Sequence, residues 1–369
     1  MPQVSFATNN RQFHIELNER IKQYFKDNNL SQRGNIALFF KAFLMYAIVI
    51  SLYCILVFGN SIWGLNLSTG VNLLLLAVMG TCMAFIGFNV MHDSCHGAFS
   101  NNSVTNEIFG YSLNFLGADC YYWKTKHNVL HHTYTNVDGV DDDIFKPPFL
   151  RMSPNQYYRN MHKYQHWYMI FLYGISTLFW IFYMDFNKYF TNTVHTTKLQ
   201  KMSVKNHIIF WVTKLYFVGV WIVIPIILLG FSKFIIGFLF YNFVMSVVMS
   251  IVFQLAHVVM GAEYADAQND GNKLKIEEDW AIFQMKTTYN FSTNNKILTW
   301  CLGGLNFQVE HHLFPKVSHI HYPAIRPIVK ELAQKHKVPY NEINGFWEAV
   351  ASHFKMMAHL GVKPTVASN

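Results

Sequence analysis

The stretch His127-Asn128-Val129-Leu130-His131-His132 decides how this chain is read. Wound as an α-helix, it sets His127 and His131 one turn apart on one face, with His132 turned about 100° away. Three imidazoles from one short element then reach one cavity, and the adjacent pair can serve two different metal ions. A second cluster, His92-Asp93-Ser94-Cys95-His96, repeats the four-residue spacing upstream. A third, Gln308-Val309-Glu310-His311-His312, lies far downstream. A single histidine is usually a surface or hydrogen-bonded core residue, and one spaced pair is weak evidence. Three clusters, each closing a hydrophobic block, point to metal binding.

Imidazole suits iron, zinc and copper. A structural zinc takes four ligands, usually with cysteines among them. The seven histidines 92, 96, 127, 131, 132, 311 and 312 are too many for one ion and suit two. His257, in Gln254-Leu255-Ala256-His257, is an eighth candidate, because an ionisable group at the end of an apolar block marks a functional site by default. Gln308 is a candidate weak ligand or a donor to metal-bound water. A ligating imidazole usually gives its other N–H to a carboxylate or carbonyl. Asp93, Asp138, Asp141, Asp142, Asp143 and Glu310 stand close enough in sequence for that job.

Of 369 residues, 52% are hydrophobic and only 14% charged. A soluble domain carries about 25% charged residues, so the composition is that of a bilayer protein. Aromatic residues reach 17%, as expected of rings that face lipid or sit in interfacial belts. The net charge of +8 does not indicate nucleic acid. The lysines and arginines fall between apolar blocks, where membrane topology places them, and no nucleic-acid module is present. The five cysteines, Cys54, Cys82, Cys95, Cys120 and Cys301, form no CxxC pair, so reduced thiols are expected. Residues 1–33 are polar and charged, unlike a signal peptide.

The blocks predict an all-α integral membrane protein. Residues 1–37 read as a cytoplasmic amphipathic arm on the membrane surface. Blocks 38–58 and 71–91 have the length of about 20 residues that crosses a bilayer, and the uncharged link between them makes a hairpin. Blocks 167–186, 208–230 and 234–257 follow. All three clusters must share one side of the membrane, so the chain must cross an even number of times between His132 and Gln308. The block 167–186, with polar-tipped rings at Tyr168, Tyr173, Trp180 and Tyr183 and Asp185 near its end, is therefore assigned to the interface. Four transmembrane helices in two hairpins remain, over a cytoplasmic helical cap holding a histidine-rich di-metal site. The membrane domain runs over 38–312, and 313–369 is its cytoplasmic C-terminal helical part. Lys124, Lys126, Lys146, Arg151, Arg159 and Lys163 lie in the cluster-bearing region, whereas the far turns hold only Lys233. That asymmetry puts both termini and the site in the cytoplasm.

A metal site at the membrane surface beneath apolar spans has a lipid chain as its natural substrate. An unactivated methylene offers nothing to polarise, so hydrolysis and simple acid–base chemistry do not apply. Oxidative attack by a metal–oxygen species remains, with the protein fixing which carbon meets the metals.

The motifs HDSCH, HNVLHH and QVEHH, in this order and with apolar hairpins between them, resemble the histidine boxes of the membrane fatty-acid desaturases. The likeness runs over about 38–360. Gln308 in the third box, together with the runs QLAHVV and QVEHHLFP, is similar to the front-end branch, which inserts a double bond between an existing one and the carboxyl end. The resemblance implies two iron ions held by His92, His96, His127, His131, His132, His257, His311 and His312, and O2 as co-substrate. It implies a fatty-acyl substrate, either a CoA ester or a membrane lipid. Many front-end enzymes carry a fused cytochrome b5 domain with an HPGG motif. That motif is absent from this sequence, so a separate electron donor such as ferredoxin or cytochrome b5 is expected, as in a bacterial inner-membrane enzyme. A sphingoid-base desaturase or lipid hydroxylase would share the site. A membrane metal-binding or transport protein would instead place its histidines inside the spans.

Overall fold

Helix dominates the computed structural model, which describes residues 4–8, 11–194, 197–266 and 275–364. Pairs of two-residue strands only tie loops together, as where Val137–Asp138 runs parallel to Ala265–Asp266. The first helix, α1 (Gln12–Asp27), is amphipathic as expected, but its apolar side does not lie open to a membrane. Phe13, Leu17, Ile21 and Phe25 are buried in one cluster with Ile325, Val329 and Leu332 of the C-terminal part. Two apolar stripes from the chain's ends cover each other, which removes both from water without lipid.

Side-chain caps start the long helices. Asn35 accepts the amide of Leu38 at 3.1 Å and opens α2 (Ile36–Trp63). Gly64, at φ +63°, ends it in the left-handed conformation that glycine adopts freely. Ser68 opens α3 (Thr69–Cys95). The loop helix α4 (Cys120–Lys124) is capped by Asp119. Then follow α5 (Asn160–Thr191), α6 (Val204–Leu229) and α7 (Phe231–His257). The short α8 (Trp280–Thr287) and α9 (Gln308–Leu313) precede α10 (Tyr322–Lys335) and α11 (Phe346–Leu360).

By length and composition, five helices are able to cross a membrane: α2, α3, α5, α6 and α7. The sequence reading counted four, with the α5 region in the interface. Four of the helices run side by side. Tyr53 of α2 meets Trp221 of α6 at 5.0 Å between ring centroids. Trp221 in turn meets Tyr241 of α7 at 5.9 Å. Gly80 of α3 lies against the carbonyl of Tyr241. The start of α5 packs with Val258 and Leu360 through Met169 and Tyr173. Midway, the Thr177 hydroxyl touches that of Ser246 in α7. A π-helical turn, Trp180–Met184, then interrupts α5. Beyond it, Tyr189 stacks on Phe210 near the start of α6, at 4.5 Å.

A Cβ on Gly80 would lie 2.6 Å from the Tyr241 oxygen and 3.3 Å from the Met245 nitrogen, both backbone atoms that cannot rotate away. Gly80→Ala should therefore cost about 1–3 kcal/mol through overpacking. The readout is a lower unfolding midpoint in detergent. Gly70→Ala, with nothing within 4 Å of the added carbon, should leave the midpoint in place.

Candidate metal centre

The histidines arrive from four places. α3 delivers His92 and His96 just after a π-helical turn, Gly87–Met91. α4 continues into a second π-helical stretch, Thr125–His131, which carries His127 and His131 and is followed by His132. α7 ends on His257, and α9 carries His311 and His312. All eight are buried.

The winding of the second cluster differs from the α-helix that its spacing suggested. The amide of His132 donates to the carbonyl of His127 at 3.0 Å, an i+5 bond. A π-turn holds more residues per turn than an α-turn, so His132 comes round to His127 instead of pointing about 100° away. Their Nε2 atoms lie 3.2 Å apart. His131 stacks on His127 at 5.1 Å.

Two sets of donors result. One nitrogen each from His92, His96, His127 and His311 lie within 4.8 Å of one another, as do those of His131, His257 and His312. His127, His131 and Asp143 form a third, overlapping set. His132 lies between the first two, stacked on His312 at 4.3 Å and edge-on to His96 and His311 at 4.6 Å each. Gln308 is buried at the head of α9.

These donors fit metal ions and do not satisfy one another. His127 Nε2 faces the Nε2 atoms of both His92 and His132 at 3.2 Å, yet it has at most one proton to give. His96, His311 and His312 each keep a buried Nε2 with no hydrogen-bond partner. Each such orphan costs about 1–3 kcal/mol unless a cation takes its lone pair. Burial is the largest cause that pushes His96, His127, His132, His311 and His312 well below the usual imidazole range. Neutral rings with free lone pairs are what a metal requires. For His131, the Asp141 and Asp143 carboxylates outweigh burial and hold the ring above that range.

Contacts on the far nitrogens fix the ring orientations. His131 Nδ1 donates to Asp141 Oδ2 at 3.0 Å. Asp141 is itself held by the amides of Asn136 and Asp143, each at 2.9 Å. His312 Nδ1 donates to Gln284 Oε1 at 2.9 Å, and His311 Nδ1 to the Tyr322 hydroxyl at 3.0 Å. His257 Nδ1 faces the Thr287 carbonyl at 3.4 Å. Each contact leaves Nε2 as the metal-facing atom.

Among the carboxylates expected to take an imidazole N–H, Asp141 does so, and Asp143 stands 3.4 Å from His131 Nδ1. The others make different contacts. Asp93 accepts from His319 Nδ1 at 2.9 Å and from the Ser318 hydroxyl at 2.8 Å, tying the first cluster to the chain beyond the third. Asp138 accepts from Gln156 at 3.1 Å, and Asp142 pairs with Lys126 at 3.2 Å. Glu310 accepts from Tyr340 at 2.7 Å and Asn290 at 2.8 Å, and its burial pushes its carboxyl up to about 7. Sequence reasoning missed Gln284, Tyr322 and Thr287. None has a histidine-like spacing, and each reaches the site only because α8 and α10 pack beside α9.

The family model described as fatty acid desaturase matches residues 68–344. The sn-1 linoleoyl-lipid 6-desaturase of Arthrospira platensis is 35% identical over 354 residues, 95% of this chain and 93% of that protein. The enzyme with the same description from Synechocystis sp. is 33% identical over 356 residues, covering 96% and 97%. An acyl-lipid (8-3)-desaturase of Physcomitrium patens is 32% identical over 360 residues, 96% of this chain and 72% of its own length.

Loss of an outer contact typically costs about 10–100-fold in metal affinity. Asp141→Ala and Gln284→Ala should each show that loss in competition with a chelator. Removing His257 takes one of three donors from its set. Elemental analysis of His257→Ala should find the bound metal reduced by half or more, and full occupancy would remove His257 from the ligands.

Proposed function

This chain belongs to the fatty acid desaturase family and is an acyl-lipid desaturase of the front-end type; on that premise we propose that its histidine sets hold two iron ions and that it desaturates a lipid-linked acyl chain. The observation that carries the reading is the pair of nitrogen-rich donor sets sharing one dry site, with buried Nε2 atoms that no protein group satisfies. Iron held by these histidines would, with O2, supply the oxidising power needed to remove one hydrogen from each of two neighbouring methylenes. Two external electrons and two protons complete the conversion of O2 into two waters. The protein favours neutral rings by burial at every site but His131, which Asp141 and Asp143 hold above the usual range, orients His131, His312, His311 and His257 through Asp141, Gln284, Tyr322 and Thr287, and excludes bulk water. In this reading an electron donor such as ferredoxin or cytochrome b5 supplies the electrons. The relatives of matching length are described as acting on linoleoyl lipid, which favours lipid-linked chains over CoA esters.

We further propose that α2, α3, α6 and α7 cross the membrane and that α5 enters and returns on one side. Support comes from parity: α3 and α7 both end in the histidine cluster, so an even number of crossings joins His132 to Gln308. It also comes from the contacts of α5. Its first half meets Val258, and Thr177 meets Ser246, twelve residues or about 18 Å deeper at 1.5 Å per residue. Past the π-turn, Tyr189 is back beside His207, near the start of α6. The lysine and arginine distribution favours a cytoplasmic site and cytoplasmic termini.

Expression in a host supplied with linoleate should yield a lipid with one new cis double bond on the carboxyl side of the existing pair. The check is mass spectrometry with double-bond location. Activity should follow iron and disappear when zinc replaces it, because zinc has no redox chemistry. A product that gains oxygen instead of losing two hydrogens would make the protein a hydroxylase. Cysteines placed at Asn66 and Thr197 test the topology. A membrane-impermeant reagent added outside should label the first and spare the second, and labelling of both would give α5 a full crossing.

A further inference from the structure

Beside the histidines lies a group of lysines whose charges the chain does not balance. Lys126 precedes His127 in the π-helical stretch. Its ammonium lies 2.7 Å from Asp143 Oδ1 and 3.2 Å from Asp142 Oδ2. Asp143 stands 3.4 Å from His131 Nδ1 and 3.9 Å from His127 Nδ1, so a single carboxylate separates this ammonium from the metal-facing rings. Lys146 donates to the backbone oxygen of Asp142 at 2.6 Å. Lys188, on α5 after its π-turn, is only 5% exposed. It feels the charges of Lys126, Asp142, Asp185 and Asp143, yet its ammonium makes no hydrogen bond or ion pair among the described residues. Asp185 is taken by Lys214 at 2.8 Å, and Asp141 by His131. Three ammonium groups therefore share two carboxylates, and the most buried of the three has no acceptor. A buried charge in that condition is costly, and within a membrane-depth helix it marks a site.

We propose that Lys188, supported by Lys146 and Lys126, binds an oxygen of the polar end of the lipid substrate and so fixes the distance from that end to the metals. The inference rests on the desaturase reading above. Rings on the same elements favour a lipid over a soluble anion. Phe145 and Phe149 flank Lys146 in sequence and are 36% and 53% exposed, and Phe190, 70% exposed, lies on the outer face of the helix that carries Lys188. The chemistry agrees. A front-end enzyme counts from the carboxyl end, and a misplacement of about 1 Å can cost about 100-fold in rate. Anchoring the oxygen-bearing end is the direct way to hold that count. Both the ester carbonyl and a headgroup phosphate present such an oxygen.

The experiment uses the full-length iron-loaded protein in nanodiscs with two lipids that share linoleoyl chains, phosphatidylglycerol and an uncharged galactolipid. Lys188→Met is compared with wild type and with Lys188→Arg. Loss of a hydrogen bond to a charged group should raise KM about 10- to 100-fold, spread the new double bond over neighbouring positions, and leave iron content unchanged. Lys188→Arg should recover most of the affinity. A rise for both lipids assigns the contact to the ester carbonyl, and a rise for phosphatidylglycerol alone assigns it to phosphate. Unchanged KM and position in folded, iron-loaded Lys188→Met would overturn the proposal. So would loss of iron and stability with KM intact, the result expected if Lys188 only helps neutralise Asp142 and Asp143. Retention of the two lipids, read by native mass spectrometry, separates the two levels. If wild type makes no double bond but Lys188→Met alone loses lipid, the contact stands and the desaturase reading falls.

Discussion

Eight imidazoles must stand face to face in a dry interior, and the rest of the molecule follows from that demand. Water would normally satisfy each ring nitrogen. Here burial removes water, and the rings cannot replace it, because neighbouring Nε2 atoms such as those of His92, His127 and His132 oppose one another. The arrangement persists only if other groups hold the rings against their mutual frustration. Asp141, Gln284, Tyr322 and the Thr287 carbonyl do this from outside, Gln284 and Thr287 from one helix and the other two from separate segments. A cation taking the free lone pairs would turn an unfavourable cluster into a strong one and so couple metal affinity to local stability.

That demand explains where the helices stop. α3 and α7 end at the cluster and bring His92 and His257 to one level. The π-turns before His92 and across His127–His131 add a residue to a turn and redirect the rings that follow. Close packing deeper down holds the ends in place. Gly80 against Tyr241, and Tyr53 against Trp221, keep α2, α3, α6 and α7 in one bundle. Asp93 with His319, and Glu310 with Asn290 and Tyr340, fasten the first and third clusters to loops outside the bundle. Carboxylates that sequence proximity suggested for the rings thus stiffen the scaffold instead.

Much of the site was legible before folding, because histidine is rare in apolar chains and its spacing repeats. The eight candidate histidines all reach one cluster. The membrane-length helices were legible through length and lack of charge, but the sequence reading placed 167–186 in the interface, where the structure has a fifth helix long and apolar enough to cross. Other features left no trace. Gln284 and Tyr322 are ordinary residues in ordinary helices, and only the packing of α8 and α10 against α9 brings them to the rings. The apolar face of α1 looked equally suited to lipid, and nothing local reveals that α10 carries a matching stripe.

The sequence by itself determined the family and marked the eight candidate histidines, because these depend on residue type and spacing along the chain. Tertiary structure decided how the donors divide. The i+5 winding at His127–His132 brings together two rings that an α-helix would part, and His311 and His312, adjacent in sequence, fall into different donor sets. It also decided which carboxylate serves a ring and which serves a lysine. Those outcomes rest on backbone winding, on the loop path that returns Asp141 and Asp142 to His131 and Lys126, and on contacts between segments far apart in the chain, for which a one-dimensional pattern has no signal.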